Sequence, residues 1–187
     1  MPLSGLQRLS AQATVALLLT SCSSYAPTPG EATAKIRLIS YVDTPTTFWV
    51  YDAAACPSSK KLVEAQMASV LPFDKTTIGM IGKSDRPPER TAERLVPANR
   101  ALFLWLESGV GAIPGRPGYS CSVAFRFEPA PNGQYEMQFK LNSDQCSVRL
   151  LRLELDANGE VRRQPERSTV PVEGANGKEL CSNSPRS

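Results

Sequence analysis

The sequence predicts an all-β protein: an antiparallel sandwich of about eight strands, with a small closed barrel as the alternative. Three observations lead there. From Lys35 onward apolar residues recur with period two. The apolar runs are short and separated by turns rich in Gly, Pro, Asn and Asp. Little of the chain reads as helix. The 187 residues suit one domain rather than two, and an apolar fraction of 41% against 21% charged is that of a globular chain.

The elements follow in order. Lys35–Tyr41 reads as a first strand, with Ile36 and Leu38 on one face; Asp43-Thr44-Pro45 ends it. Phe48-Trp49-Val50-Tyr51 is aromatic and β-branched, hence a second strand. Lys61–Ala68 is open between strand and short helix, and Thr77–Ile81 is expected to be a strand. Gly82–Thr91, with Pro87-Pro88, is a surface loop. Glu93–Val96, a turn at Pro97-Ala98-Asn99, and Ala101–Glu107 read as a hairpin. The second arm is almost continuously apolar, as in a strand covered on both faces. Gly109–Gly118 is a glycine- and proline-rich loop. Cys121, Val123, Phe125 and Phe127 then alternate with polar residues. Pro129–Gly133 turns the chain into Tyr135, Met137, Phe139 and Leu141, which alternate in the same way. After the turn at Asn142–Gln145, Cys146, Val148 and Leu150 alternate, followed by Leu151, Leu153 and Leu155. The change of phase at Leu150-Leu151 predicts a bulge. Asp156–Gly159 turns into a short last strand, Val161–Arg163.

The most specific signal precedes the domain. Residues 1–7 carry no acid, Arg8 and the amine supply positive charge, and Ala13–Leu19 is a seven-residue apolar run. A membrane span takes about 20 apolar residues, so this run has the length of a secretory signal. It ends in Leu19-Thr20-Ser21-Cys22. This resembles the lipobox of bacterial lipoproteins, which implies lipidation of Cys22 and removal of residues 1–21. Ser23 follows, where lipoproteins retained in a Gram-negative inner membrane typically carry Asp; the resemblance therefore implies the outer membrane, facing the periplasm. Residues 22–34 read as the lipidated Cys and a flexible tether, SSYAPTPGEATA from Ser23, with a reach of roughly 40 Å. The sandwich is expected over residues 35–163, and 164–187 as an irregular tail. Arg8 leaves with the signal, taking the formal charge from +3 to +2, which gives no reason to expect nucleic acid.

Four cysteines remain: Cys56, Cys121, Cys146 and Cys181. An even number in an exported chain implies two disulfides, with three connectivities open. Pairing Cys121 with Cys146 is favoured, leaving Cys56 with Cys181 to hold the tail. In a simple meander, however, Cys121 and Cys146 would lie two strands, about 10 Å, apart. Without a CxxC pair, neither a four-Cys zinc site nor a thioredoxin-type redox site is expected.

The catalytic inventory is thin. The chain has no His, which excludes His-based nucleophile systems and His-ligated zinc. Ser58-Ser59-Lys60-Lys61 matches S-x-x-K, but the companion motifs of penicillin-binding enzymes are missing, and a polar turn is expected. Asp156-Ala157-Asn158-Gly159-Glu160 is too short a frame for an EF-hand loop and is expected to be a hairpin turn. Glu89 with Glu93, or Glu107 with Glu128, are conceivable paired carboxylates with nothing to fix their spacing. Arg149, Arg152, Arg162, Arg163 and Arg167 are interleaved with acids and read as a mixed solvated surface. Trp49, Tyr51, Trp105 and Tyr119 are candidates for a sugar-binding face, against a core role.

The stretches Glu93–Ala98, Cys121–Pro129 and Gly133–Glu136 are similar in order to a pattern in small β-sandwich lipoproteins of bacterial envelopes. That pattern has an Ile-Pro-Ala-Gly turn, a strand ending Phe-x-Pro and a Gly-x-x-Tyr strand start. Asn99 stands at the Gly position, and Gly133-Gln134-Tyr135 is one residue shorter. The resemblance implies a fold and a compartment, with no catalytic residue to carry over. The expectation is therefore a non-enzymatic, membrane-anchored module, without metal or cofactor, that meets an envelope protein. A ligand- or cell-wall-glycan-binding lipoprotein is the alternative.

Overall fold

The computed structural model describes residues 25–53, 61–67, 77–110, 118–142 and 145–172. Among these lie ten strands: β1 (Thr33–Ser40), β2 (Thr46–Asp52), β3 (Lys61–Met67), β4 (Thr91–Pro97), β5 (Leu102–Val110), β6 (Tyr119–Phe127), β7 (Gln134–Asn142), β8 (Gln145–Leu155), β9 (Val161–Pro165) and β10 (Val170–Pro171). They form two five-stranded sheets, ordered β4-β1-β7-β8-β9 (sheet A) and β10-β6-β5-β2-β3 (sheet B). Neighbours are antiparallel except β1 and β7, which run parallel. Neither sheet closes on itself, so the fold is the expected sandwich and not the barrel.

The period-two pattern builds the core. Ile36 and Leu38 of β1, Met137 and Phe139 of β7, Phe48 and Val50 of β2, and Leu102, Leu104 and Leu106 of β5 are wholly buried between the sheets. Burying each such side chain stabilises the fold by about 1.5–3 kcal/mol. Phe48 meets Phe139 edge to face across the sandwich, with centroids 6.5 Å apart. Phe127 meets Tyr135 in the same way at 5.2 Å. The Tyr135 hydroxyl then accepts from the Ala130 amide at 2.9 Å, locking the turn that carries the chain from β6 to β7. Gly133 leaves room for this phenol: a Cβ there would lie 2.7 Å from its oxygen.

Several sequence expectations change. Glu93–Val96 and Ala101–Glu107 do not form a hairpin: β4 lies in sheet A and β5 in sheet B. Asn99, at φ 56°, turns the chain from one sheet to the other. Residues 77–81 are not a strand; positive φ at Gly79 and Gly82 bends them into an irregular strap over sheet A. No bulge occurs at Leu150-Leu151, because β8 pairs with β7 in unbroken register. Leu150 faces the core, while Leu151 and Leu153 are buried on the opposite, outer face. Of the expected tail, the described part is not wholly irregular: β9 reaches Pro165, and β10 at Val170–Pro171 pairs with β6.

The approach to β1 also differs from a free tether. Tyr25 and Ala32 pack against the core. The Ala32 and Thr33 carbonyls accept from Ala98 N at 2.8 Å and Asn132 N at 2.7 Å. Arg100 ties Glu31 at 3.1 Å to Asp52 at 3.4 Å. Only Ser23 and Ser24 separate Cys22 from Tyr25, a span of roughly 10 Å at full extension.

Candidate functional site

Two surfaces bring polar or aromatic side chains together, one on the outside of each sheet. On sheet A, Glu93, Arg37, Glu136 and Leu151 are successive cross-strand partners and so share the outer face. Strand alternation alone reads such charges as solvated. Here Arg37, Glu93 and Glu136 are 2%, 6% and 1% exposed, because the strap of residues 77–83 lies over them. Arg37 donates to Glu93 Oε1 from Nε at 3.0 Å and from a terminal nitrogen at 2.8 Å. Its other terminal nitrogen meets Glu136 Oε2 at 3.3 Å.

The same side chains bind the strap through its backbone. The Gly82 carbonyl accepts from Arg37 at 2.8 Å, and Glu93 Oε2 accepts from Ile78 N at 2.8 Å. Lys35 Nζ donates to the Ile78 and Gly79 carbonyls at 3.0 and 3.1 Å, and Gln134 accepts from Ile81 N at 2.8 Å. Arg163 joins Glu136 at 3.1 Å to the Lys83 carbonyl at 2.9 Å. A segment with no ladder partner thus has its backbone groups satisfied by sheet side chains.

Beside this cluster the strap leaves a cavity of about 330 Å³. Lys83, Arg86, Thr91 and Gly79 line it, with Arg37 and Glu93 at its floor. Arg86 lies over the Tyr41 ring at 5.4 Å, and its Nε is buried without a hydrogen-bond partner. Burial, together with hydrogen bonding to Asp85 at 2.7 Å, raises the pKa of the Tyr41 phenol, which therefore stays neutral.

On sheet B, Trp49, Tyr51 and Trp105 lie on the outer face, as a sugar platform would require. The indoles of Trp49 and Trp105 are direct cross-strand partners and stack at 4.4 Å and 24°. Each therefore turns one face to the other. Phe103, Ala124, Tyr51 and Val172 complete an apolar cluster around Trp105. The Tyr119 side chain lies outside the described residues.

The remaining candidates separate. Glu93 is held by Arg37 under the strap, whereas Glu89 is exposed, so the two are not a carboxylate pair. Phe127 pairs with Leu102, so Glu128 lies level with Ala101, six residues along β5 from Glu107, and the two acids are roughly 20 Å apart along the strands. Asp156 caps the β8–β9 turn, its Oδ1 accepting from Asn158 N at 2.8 Å and Glu160 N at 2.9 Å. Those bonds hold its carboxyl below the usual range. Arg152, Arg162 and Arg163 pair with Glu154, Asp156 and Glu136. Lys61 pairs with Glu64.

Cys121 and Cys146 form a disulfide, with Cα atoms 5.9 Å apart. They belong to β6 of sheet B and β8 of sheet A, so the bridge crosses the sandwich. The meander distance does not apply, because β7 is not a neighbour of β6. Cys22, Cys56, Cys181 and Ser58 lie outside the described residues. Compared with protein-family models and with curated proteins, the chain matches none.

Proposed function

We propose that this chain is a lipid-anchored module of a bacterial outer membrane, facing the periplasm, that acts by binding an envelope component and not by catalysis. The observation that carries the reading is Leu19-Thr20-Ser21-Cys22 at the end of a short apolar run. The cross-sheet disulfide supports it, since such bridges persist in oxidising compartments. So does the docking of Tyr25, which holds the domain within roughly 10 Å of the acylated residue. The membrane-proximal end of the sandwich is then the one carrying Arg100 and the Pro129–Gly133 turn, and the disulfide marks the distal end. Labelling with palmitate followed by membrane fractionation tests this. Labelled protein should float with outer membranes; unlabelled protein in the periplasmic fraction would end the proposal.

A second reading, a ligand-binding lipoprotein, is favoured by one observation: the cavity beneath the strap, whose size lies at the lower end of the range for small-ligand sites.

A further inference from the structure

We infer that the cavity between the strap and sheet A is a binding site for a phosphate monoester, held by Lys83 and Arg86. This deepens the ligand-binding reading of that cavity and is independent of the lipid anchor.

The charges of the cavity divide into two sets. Arg37 is saturated: it holds Glu93, Glu136 and the Gly82 carbonyl. Glu93 is likewise occupied, one oxygen by Arg37 and the other by Ile78 N at 2.8 Å and Met80 N at 3.4 Å. The floor is therefore close to neutral. Lys83 and Arg86 line the same space and make no ion pair among the described residues. Two cations without acidic partners among the described residues flank a space of about 330 Å³.

Lys supplies a point charge, and Arg a planar fork of donors that matches phosphate oxygens. A phosphate monoester carries about −1.5 to −2 at neutral pH and offers three acceptor oxygens, which matches two cations where a carboxylate neutralises one. The position of Arg86 is fixed from below by the Tyr41 ring at 5.4 Å, whose hydroxyl is held in turn by Asp85 at 2.7 Å. The strap itself is fixed by Arg37, Lys35, Gln134 and Arg163. The site is thus assembled before any ligand arrives, which lowers the cost of binding.

The test uses the full chain purified in a neutral detergent and titrated calorimetrically with inorganic phosphate, then with glycerol phosphate. Both should bind saturably, one per chain. Lys83→Gln and Arg86→Gln should each weaken binding at least tenfold without lowering the melting temperature. Arg167→Gln, which removes an exposed charge on the β9–β10 turn, should leave binding unchanged. Phosphatidic acid doped into the micelles identifies the source of the phosphate: competition with inorganic phosphate assigns a lipid headgroup, and the lack of it a soluble phosphomonoester. Either outcome supports the site. Absence of saturable phosphate binding overturns the inference, as does equal weakening by Arg167→Gln, which would mean diffuse surface charge. Tighter binding of acetate than of phosphate overturns the phosphate class while leaving a ligand site in place. A lipidated chain that binds no phosphate removes this inference and leaves the anchor reading standing.

Discussion

Arg37→Met removes the cation at the centre of the sheet A cluster. The guanidinium makes two bonds to Glu93, at 3.0 and 2.8 Å, one to Glu136 at 3.3 Å and one to the Gly82 carbonyl at 2.8 Å. Glu136 keeps Gln138 at 2.8 Å and Arg163 at 3.1 Å. Glu93 keeps only backbone amides of the strap, and it is 6% exposed. The loss therefore concentrates on Glu93, a buried carboxylate left without its cation. Breaking a buried pair in this way costs about 3–5 kcal/mol, a large part of a typical stability of about 5–15 kcal/mol. Urea unfolding followed by Trp49 and Trp105 fluorescence reads it. Adding Glu93→Gln to Arg37→Met should restore part of the loss, because the orphaned charge is removed. If Arg37→Met lies within about 1 kcal/mol of the parent, or if the two substitutions are additive, the cluster is not an interdependent buried network.

The other expectations are as follows. Replacing Cys121 and Cys146 by Ser opens a loop with a sequence separation of 25 and should cost about 3.5 kcal/mol by the chain-entropy relation, read as a lowered urea midpoint. Gly82→Ala should cost about 1–2 kcal/mol and speed amide exchange of residues 78–82, because Gly82 has φ 69° and a Cβ there would meet the Val161 methyls at 3.2 Å. Burial, then the adjacent Glu31, pushes the Tyr25 phenol up to about 12. A raised phenol contributes stability that is whole below the unfolded value near 10 and lost as pH rises through about 12; Tyr25→Phe should remove that part of the alkaline dependence. Ser23→Asp should shift the protein from outer to inner membrane on a density gradient; an unchanged distribution would contradict the sorting assignment.

The sandwich was legible because period-two alternation is a local property of each strand. Ile36 and Leu38, Phe125 and Phe127, and Met137 and Phe139 all face inward as their spacing requires. What alternation does not encode is which sheet each strand joins. The Glu93–Glu107 segment reads as a hairpin locally, yet its two arms belong to different sheets, and the same blindness gave the wrong distance for Cys121 and Cys146. The outer face of sheet A was the larger miss. Alternation sets Lys35, Arg37, Glu136 and Gln138 opposite the core-facing residues, and nothing within their own strands reveals a covering segment. Two signals were present: Gly79 inside the expected strand with Gly82 just after it, and Leu151 and Leu153 continuing an apolar pattern in the opposite phase. The glycines belong to the strap that lies on that face, and the two leucines to the same outer face of β8. The cavity cations Lys83 and Arg86 come from a stretch read as an ordinary surface loop; only its folding back over Tyr41 gives them a common space.

The measurement that bears most directly on the functional account is the intact mass of the protein recovered from membranes, with fragmentation of its N-terminus. The account predicts a chain beginning at Cys22, heavier than its sequence by a thioether-linked diacylglyceryl group and an amide-linked acyl chain, with both modifications on that residue. Cys22→Ala should abolish the added mass and block cleavage after Ser21. A mature N-terminus elsewhere, or a chain beginning at Cys22 with no added lipid, would contradict it.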